Sequence, residues 1–263
     1  MQVLKKSSLA GVLSVGLLAG CSLETTKEID ENQAVEDVKW SYEGETGPSN
    51  WDTLHPEFAT CGKGEKQSPI NIDESNVELN EELEAIGINY QSTDFSFENN
   101  GHTVQLNDQS RDNSIELQGE EYTLQQLHFH IPSENTMNGD HFAMEAHLVH
   151  ENEAGDLAVL GLLIEEGDEN PILAEVFSNI PAQNNDEELS SNIKLDSLLP
   201  EEKSTFRYSG SLTTPPCSEG VSWIILEEAI ELSEEQIEAF SERFPHGNAR
   251  GTQPLNSREV YVP

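Results

Sequence analysis

Two short segments set three histidines at a spacing suited to paired strands. Gln126-Leu127-His128-Phe129-His130 and Glu145-Ala146-His147-Leu148-Val149 alternate polar and apolar residues, and side chains on a strand alternate between faces with a period of two. Gln126, His128 and His130 therefore share one face, with Leu127, Phe129 and Ile131 on the other. In the second segment Glu145, His147 and Val149 oppose Met144, Ala146 and Leu148. Pairing the strands gathers three imidazoles and leaves a fourth coordination position for water, the arrangement of catalytic zinc; structural sites usually close with four protein ligands. Gln126 and Glu145, each two residues before a histidine, suit the task of holding a ligand ring by its other nitrogen. A set of imidazoles without thiolate makes Zn2+ the expected cofactor. Taken singly, a buried histidine is more often a hydrogen-bonded core residue, so the grouping carries the argument.

Further motifs follow in order along the chain: Gln67-Ser68-Pro69-Ile70-Asn71, Asn100-Gly101-His102, Glu145 to His150, Leu212-Thr213-Thr214-Pro215-Pro216 and Trp223. With the histidine segments they resemble the alpha-class carbonic anhydrases, from about Trp40 to the C-terminus. The resemblance implies reversible hydration of CO2 to bicarbonate by hydroxide on zinc held by His128, His130 and His147. It also implies that Thr213 passes a hydrogen bond to Glu134 and so aims the nucleophile, that Thr214 contacts substrate or product, and that His102 carries the proton away. Val149, Val159, Leu212, Val221 and Trp223 match the walls of the CO2 pocket; a small apolar wall suits a substrate with no strong hydrogen-bonding handle. Tyr42, Asn100 and Gln126 match residues that order water in the cleft, and Asn248 and Arg250 match a supporting pair. Two departures stand out: Asn135, where many members carry His beside Glu134, and Ser41, where Gly is common. Relatives that use this scaffold only for binding have lost ligands, whereas this chain keeps all three. Hydrolysis of small esters by the same centre is the other rival.

The N-terminus has Lys5, Lys6, an apolar run from Leu9 to Leu18 and then Leu18-Ala19-Gly20-Cys21. The run is too short to span a membrane and reads as a secretory signal. Its end resembles a bacterial lipobox, with Cys21 lipidated and the protein anchored to the membrane by lipid alone; an ordinary signal with an incidental Cys is the alternative. The resemblance implies a disulfide between the remaining Cys61 and Cys217, which an exported protein permits; two free thiols are the other reading.

The chain carries 13 basic against 50 acidic residues, a net charge of −37. Removal of residues 1–20 takes away two lysines and no acid. Such a charge argues against nucleic acid or an anionic membrane as a partner of the folded surface. It fits a protein adapted to high ionic strength, with alkaline adaptation as the competing explanation. A small-molecule substrate is the expected partner, and the sequence leaves room for a homodimer.

Three segments follow: a signal peptide at 1–20, a lipidated Cys and acidic tether at 21–38, and one catalytic domain at 39–263. The domain reads as mainly β, in the α+β class. Strands are expected over 86–90, 103–106, 114–117, 125–131, 142–150, 157–164, 205–209 and 221–226, separated by polar turns. One helix is expected from Pro171, with Leu173, Val176, Phe177 and Ile180 on one stripe. Another starts at Ser233 with Gln236 three residues on and runs towards Phe244. The resemblance implies a large central, mostly antiparallel twisted sheet of about ten strands with short peripheral helices.

Overall fold

The computed structural model describes residues 38–183, 186–187 and 192–263. The signal segment, Cys21 and the tether up to residue 37 lie outside the described residues. Val38 is buried, with Trp51, Phe58 and the Cys61–Cys217 disulfide.

The architecture is a mixed 14-stranded sheet in which ten strands form a continuous path. At its centre the first ligand strand, Glu120–His130, pairs antiparallel with the second, Met144–Glu151. The expected strands all form, with ends displaced by up to five residues; Glu120–His130 begins earlier than Gln125 because Glu120–Thr123 pair with Ser114–Leu117. Most pairings are antiparallel, but Leu157–Glu166 runs parallel to Glu219–Leu226. A strand not expected, Ser92–Asn99, pairs with Val104–Asp108 and buries Thr93, Phe95, Phe97 and Asn99 in strict alternation.

Strand alternation gives the sheet two different faces. Leu127, Phe129, Ala146, Leu148, Leu160 and Leu162 turn to one side and form the larger core with Phe177, Phe240 and Phe244 from the helical segments. The other face carries the histidines and, beyond them, a second core containing Val159, Val221, Trp223 and Ile225. The Ser233 helix spans Glu234–Ser241 and is closed by the expected capping box, Ser233 with Gln236. The other helix is shorter than expected, Ala174–Ser178. Asn170 explains this: its side chain accepts from Ile172 N, and its backbone N–H and C=O are both taken by Gln236, so Pro171 lies in a turn and not at the first helical position. The apolar stripe survives, with Leu173, Val176, Phe177 and Ile180 all buried.

Candidate metal centre

Register places the ligands. His128 lies opposite His147 and Glu145 opposite His130, so the three imidazoles rise from one face of two neighbouring strands. One nitrogen of each ring can join the other two in a set whose members all lie within 4.8 Å of one another. His128 Nδ1 sits 2.7 Å from Gln126 Oε1, and His130 Nδ1 is 2.8 Å from the Asn248 carbonyl. Both acceptors require a proton on Nδ1, which leaves each Nε2 as a lone pair facing the cluster. His147 is reversed: its Nε2 lies 3.0 Å from Glu145 Oε1, off the ring N–H axis, and its Nδ1 faces the centre.

The donor set fits zinc. His130 Nε2 is buried with no hydrogen-bond partner, a costly state for a ring nitrogen unless a ligand takes it. Burial holds all three imidazoles neutral: His128 and His147 are pushed well below the usual histidine range, and His130 to about 4. Neutral rings are what a metal requires.

Two buried carboxylates support the centre. Glu145 accepts from Glu134 N, Asn135 N and Asn135 Nδ2 at 2.7–2.8 Å, so it is fixed before it meets His147. Asn135 therefore serves Glu145 and not Glu134. Its Oδ1 also receives Ile70 N and the Tyr208 hydroxyl. Ser41, the other departure, spends its hydroxyl in a local turn with Glu43 and Thr46. Glu134 accepts Arg250 N at 2.8 Å on Oε1, while Oε2 lies 3.5 Å from His130 Nε2. Burial pushes the Glu134 carboxyl up to about 8, and hydrogen bonds from Arg250 N and the Thr213 hydroxyl work against that rise. Thr213 is buried beside it, in the hairpin loop between Thr205–Ser211 and Glu219–Leu226. The Cys61–Cys217 disulfide fastens that loop, and Cys217 N donates to the Thr214 carbonyl.

The supporting pair acts through the backbone. Asn248 donates Nδ2 to the His102 and Phe129 carbonyls and accepts Ile131 N. The Arg250 guanidinium donates to Gln67 Oε1 and to the Ser68 and Cys61 carbonyls. Asn100 spends its side-chain oxygen on His102 N and Thr103 N, so it shapes the turn that carries His102. The His102 ring is partly exposed and stacks on Trp40, 3.7 Å between centroids, with Tyr42 edge-on at 6.5 Å. Partial burial lowers the His102 pKa. The Tyr42 ring is partly exposed, but its hydroxyl end is buried near Glu134, and both effects raise its pKa well above 10.

One cross-strand row explains the cleft's two characters. Asn107 faces Gln126, Gln126 faces Val149, Val149 faces Val159, and Val159 faces Trp223. The row changes from amide to hydrocarbon as it passes the histidines. Leu212 and Val221 pack on its apolar end, and Trp223 meets the His147 ring edge-on at 4.9 Å. Sequence reasoning missed Gln105, which lies opposite His128; the alternation through Val104, Leu106 and Asp108 put it on the polar face, but only register gives it that neighbour.

The family model for eukaryotic-type carbonic anhydrases matches residues 46–263. A carbonic anhydrase of Pectobacterium carotovorum is 40% identical over 251 residues, covering 95% of this chain and 98% of that protein. One from Klebsiella pneumoniae is 44% identical over 224 residues, covering 84% and 89%. The alpha-carbonic anhydrase of Thermovibrio ammonificans, solved with sulfanilamide, superposes with a TM-score of 0.82 at 41% identity, covering 85% of this chain and 99% of that one. With the histidine cluster and its supports at the centre of the matched region, this chain belongs to the alpha, or eukaryotic-type, carbonic anhydrase family.

Proposed function

We propose that this carbonic anhydrase hydrates CO2 reversibly with zinc held by His128 Nε2, His130 Nε2 and His147 Nδ1, and exchanges protons through His102. The observation that carries the reading is the convergence of three neutral ring nitrogens, one of them buried without a partner. Bound there, zinc supplies Lewis acidity that brings the pKa of a water close to neutrality, behaviour for which carbonic anhydrases are themselves the reference case.

The remaining work falls to the chain. With the histidine site loaded, Glu134 would be held in its ionised form against the neutral one that burial alone promotes. An ionised carboxylate only accepts, so the Thr213 hydroxyl donates to it and accepts from the attacking oxygen, turning a lone pair of that oxygen to the substrate. Val149, Val159, Leu212, Val221 and Trp223 receive CO2 without competing for hydrogen bonds, and Thr214 contacts substrate or product from the same loop. His102 takes the released proton at the cleft's polar end and hands it to buffer.

The protein works outside the cytoplasm. Residues 1–20 direct export, Cys21 carries lipid and the following acidic segment is a tether. The disulfide supports an oxidising compartment, and the acidic surface suits high salt. Cys21→Ser is expected to move activity from the membrane fraction to the soluble one; unchanged partition would end the lipoprotein reading.

Stopped-flow CO2 hydration with metal analysis tests the reaction. Wild type is expected to hold one zinc per chain and to be active, and His147→Ala to lose metal and activity together. Full activity in a metal-free preparation would overturn the reading.

A further inference from the structure

The row that carries two of the ligands extends past them to a carboxylate. His147 faces His128, His128 faces Gln105, and Gln105 faces Glu98, each pair in register on neighbouring strands. In-register neighbours point to the same side of a sheet, so Glu98 stands on the cleft face two strands from a metal ligand. Its Oε1 receives Gln105 Nε2 and Asn107 Nδ2, each at 3.1 Å, and Gln105 Nε2 also lies 2.7 Å from Asn107 Oδ1. Among the described residues no Lys or Arg pairs with it.

Because an ionised carboxylate has no proton to give, both amides must turn their nitrogens towards Glu98. Both protons of Gln105 Nε2 are then spent, one on Glu98 and one on Asn107. What Gln105 has left to offer is an acceptor, Oε1. On the next strand the polarity is opposite, since Gln126 spends its oxygen on His128 and has NH2 left. Gln105 follows His102 by three residues and Glu98 precedes it by four, so the turn that carries His102 joins the two strands that supply Glu98 and Gln105 to the cleft's polar wall.

We infer that Glu98 is a positioning residue for proton transfer: it fixes the amide polarity of Gln105 and Asn107 so that cleft water has one hydrogen-bond direction along this wall. The inference rests on His102 as the proton carrier. Removing the charge lets both amides rotate half a turn, and water then meets a mixture of donors and acceptors. Binding of CO2 at the apolar end is untouched.

Glu98→Gln, nearly isosteric and on a partly exposed position, tests this in the zinc-loaded protein. At low buffer concentration its kcat for CO2 hydration is expected to fall about twofold to tenfold, the rate equivalent of one hydrogen bond. kcat/KM should stay at the wild-type value, and imidazole should restore kcat. In the Glu98→Gln background, Gln105→Leu should then cost less than it does in the wild type, because the acceptor it removes is already disordered. Wild-type kcat at every buffer concentration, a parallel fall in kcat/KM, or full additivity of the two substitutions would each overturn the inference. A His102→Ala variant with undiminished kcat at low buffer would overturn the proton-carrier premise, and with it the inference. An inactive zinc-loaded wild type would instead strike the reaction itself.

Discussion

Gly161 has room for little more than a hydrogen. It lies opposite His147 on the neighbouring strand, and a Cβ there would stand 2.6 Å from Ile225 Cδ1 and 3.2 Å from Glu145 Oε1. Ile225 can yield by changing rotamer. Glu145 is held by three hydrogen bonds and cannot. Gly161→Ala is therefore expected to press on the carboxylate that orients His147 and to weaken zinc binding by about tenfold, the lower end of what disturbing such a partner costs. A chelator-competition titration reads this directly, and unchanged affinity would show that Glu145 has slack. A second buried residue predicts a pH dependence remote from the metal. His150 Nε2 lies 2.7 Å from the Tyr90 hydroxyl, and burial lowers its pKa from 6.5 to about 4, partly opposed by backbone carbonyls and by Asp108. Between those values the unfolded chain binds a proton that the native protein refuses, so stability is lost as pH falls from about 6.5 towards 4. The full shift is worth roughly 3 kcal/mol. Denaturant titrations of wild type and His150→Gln should converge as pH falls through this window; parallel curves would show that His150 titrates normally in the fold.

At the scale of elements, the hairpin loop carrying Thr213 owes its position to more than its own turn. The Cys61–Cys217 bridge spans 156 residues, and the chain-entropy argument values a loop of that size at roughly 4 to 5 kcal/mol, an upper figure. The double Cys61→Ser, Cys217→Ser variant is expected to lose most of that stability in urea titrations, and a loss below about 1 kcal/mol would show that Arg250 and Gln67 hold the loop unaided. The ligand strands were legible in the sequence because their alternation is exact and both faces are occupied, one by histidine and one by hydrocarbon. The Ser233 helix was legible through its capping box. Ser92–Asn99 was not among the expected strands, although Thr93, Phe95 and Phe97 alternate with the polar Ser92, Asp94, Ser96 and Glu98. Its partner strand supplies what the local sequence lacks. The same holds for the site: His128, His130, His147, Thr213 and Glu134 were legible from motifs, whereas the Glu98–Gln105–His128 row exists only through the register of three strands. Asn135 was visible as a departure, yet its attachment to Glu145 came from the fold.

Over the whole molecule, 50 acidic side chains face 13 basic ones, and the described structure does little to offset them locally. Every ion pair within 4.0 Å among the described residues uses a histidine. Arg250 and Arg258 spend their guanidinium groups mostly on backbone carbonyls. Uncompensated carboxylates repel one another more in the compact state than in the expanded one, so the folded form carries the larger electrostatic penalty. Screening removes it: the Debye length falls from about 30 Å at 0.01 M salt to about 10 Å at 0.1 M and about 3 Å at 1 M. The thermal midpoint at pH 7.5 is therefore expected to rise steeply between 10 mM and a few hundred millimolar NaCl and then to level. KCl at equal ionic strength should act alike, and sucrose should not reproduce the steep part, because screening depends on ions and not on osmotic strength. A rise that continues to molar salt would add ion hydration at the carboxylate surface to simple screening. A midpoint that stays flat from 10 mM to 1 M would remove the saline reading and leave alkaline adaptation as the account of the charge. A surface made of carboxylates and poor in lysine has few protons left to lose above pH 9, so on that account the midpoint should change little between pH 7.5 and 9.5.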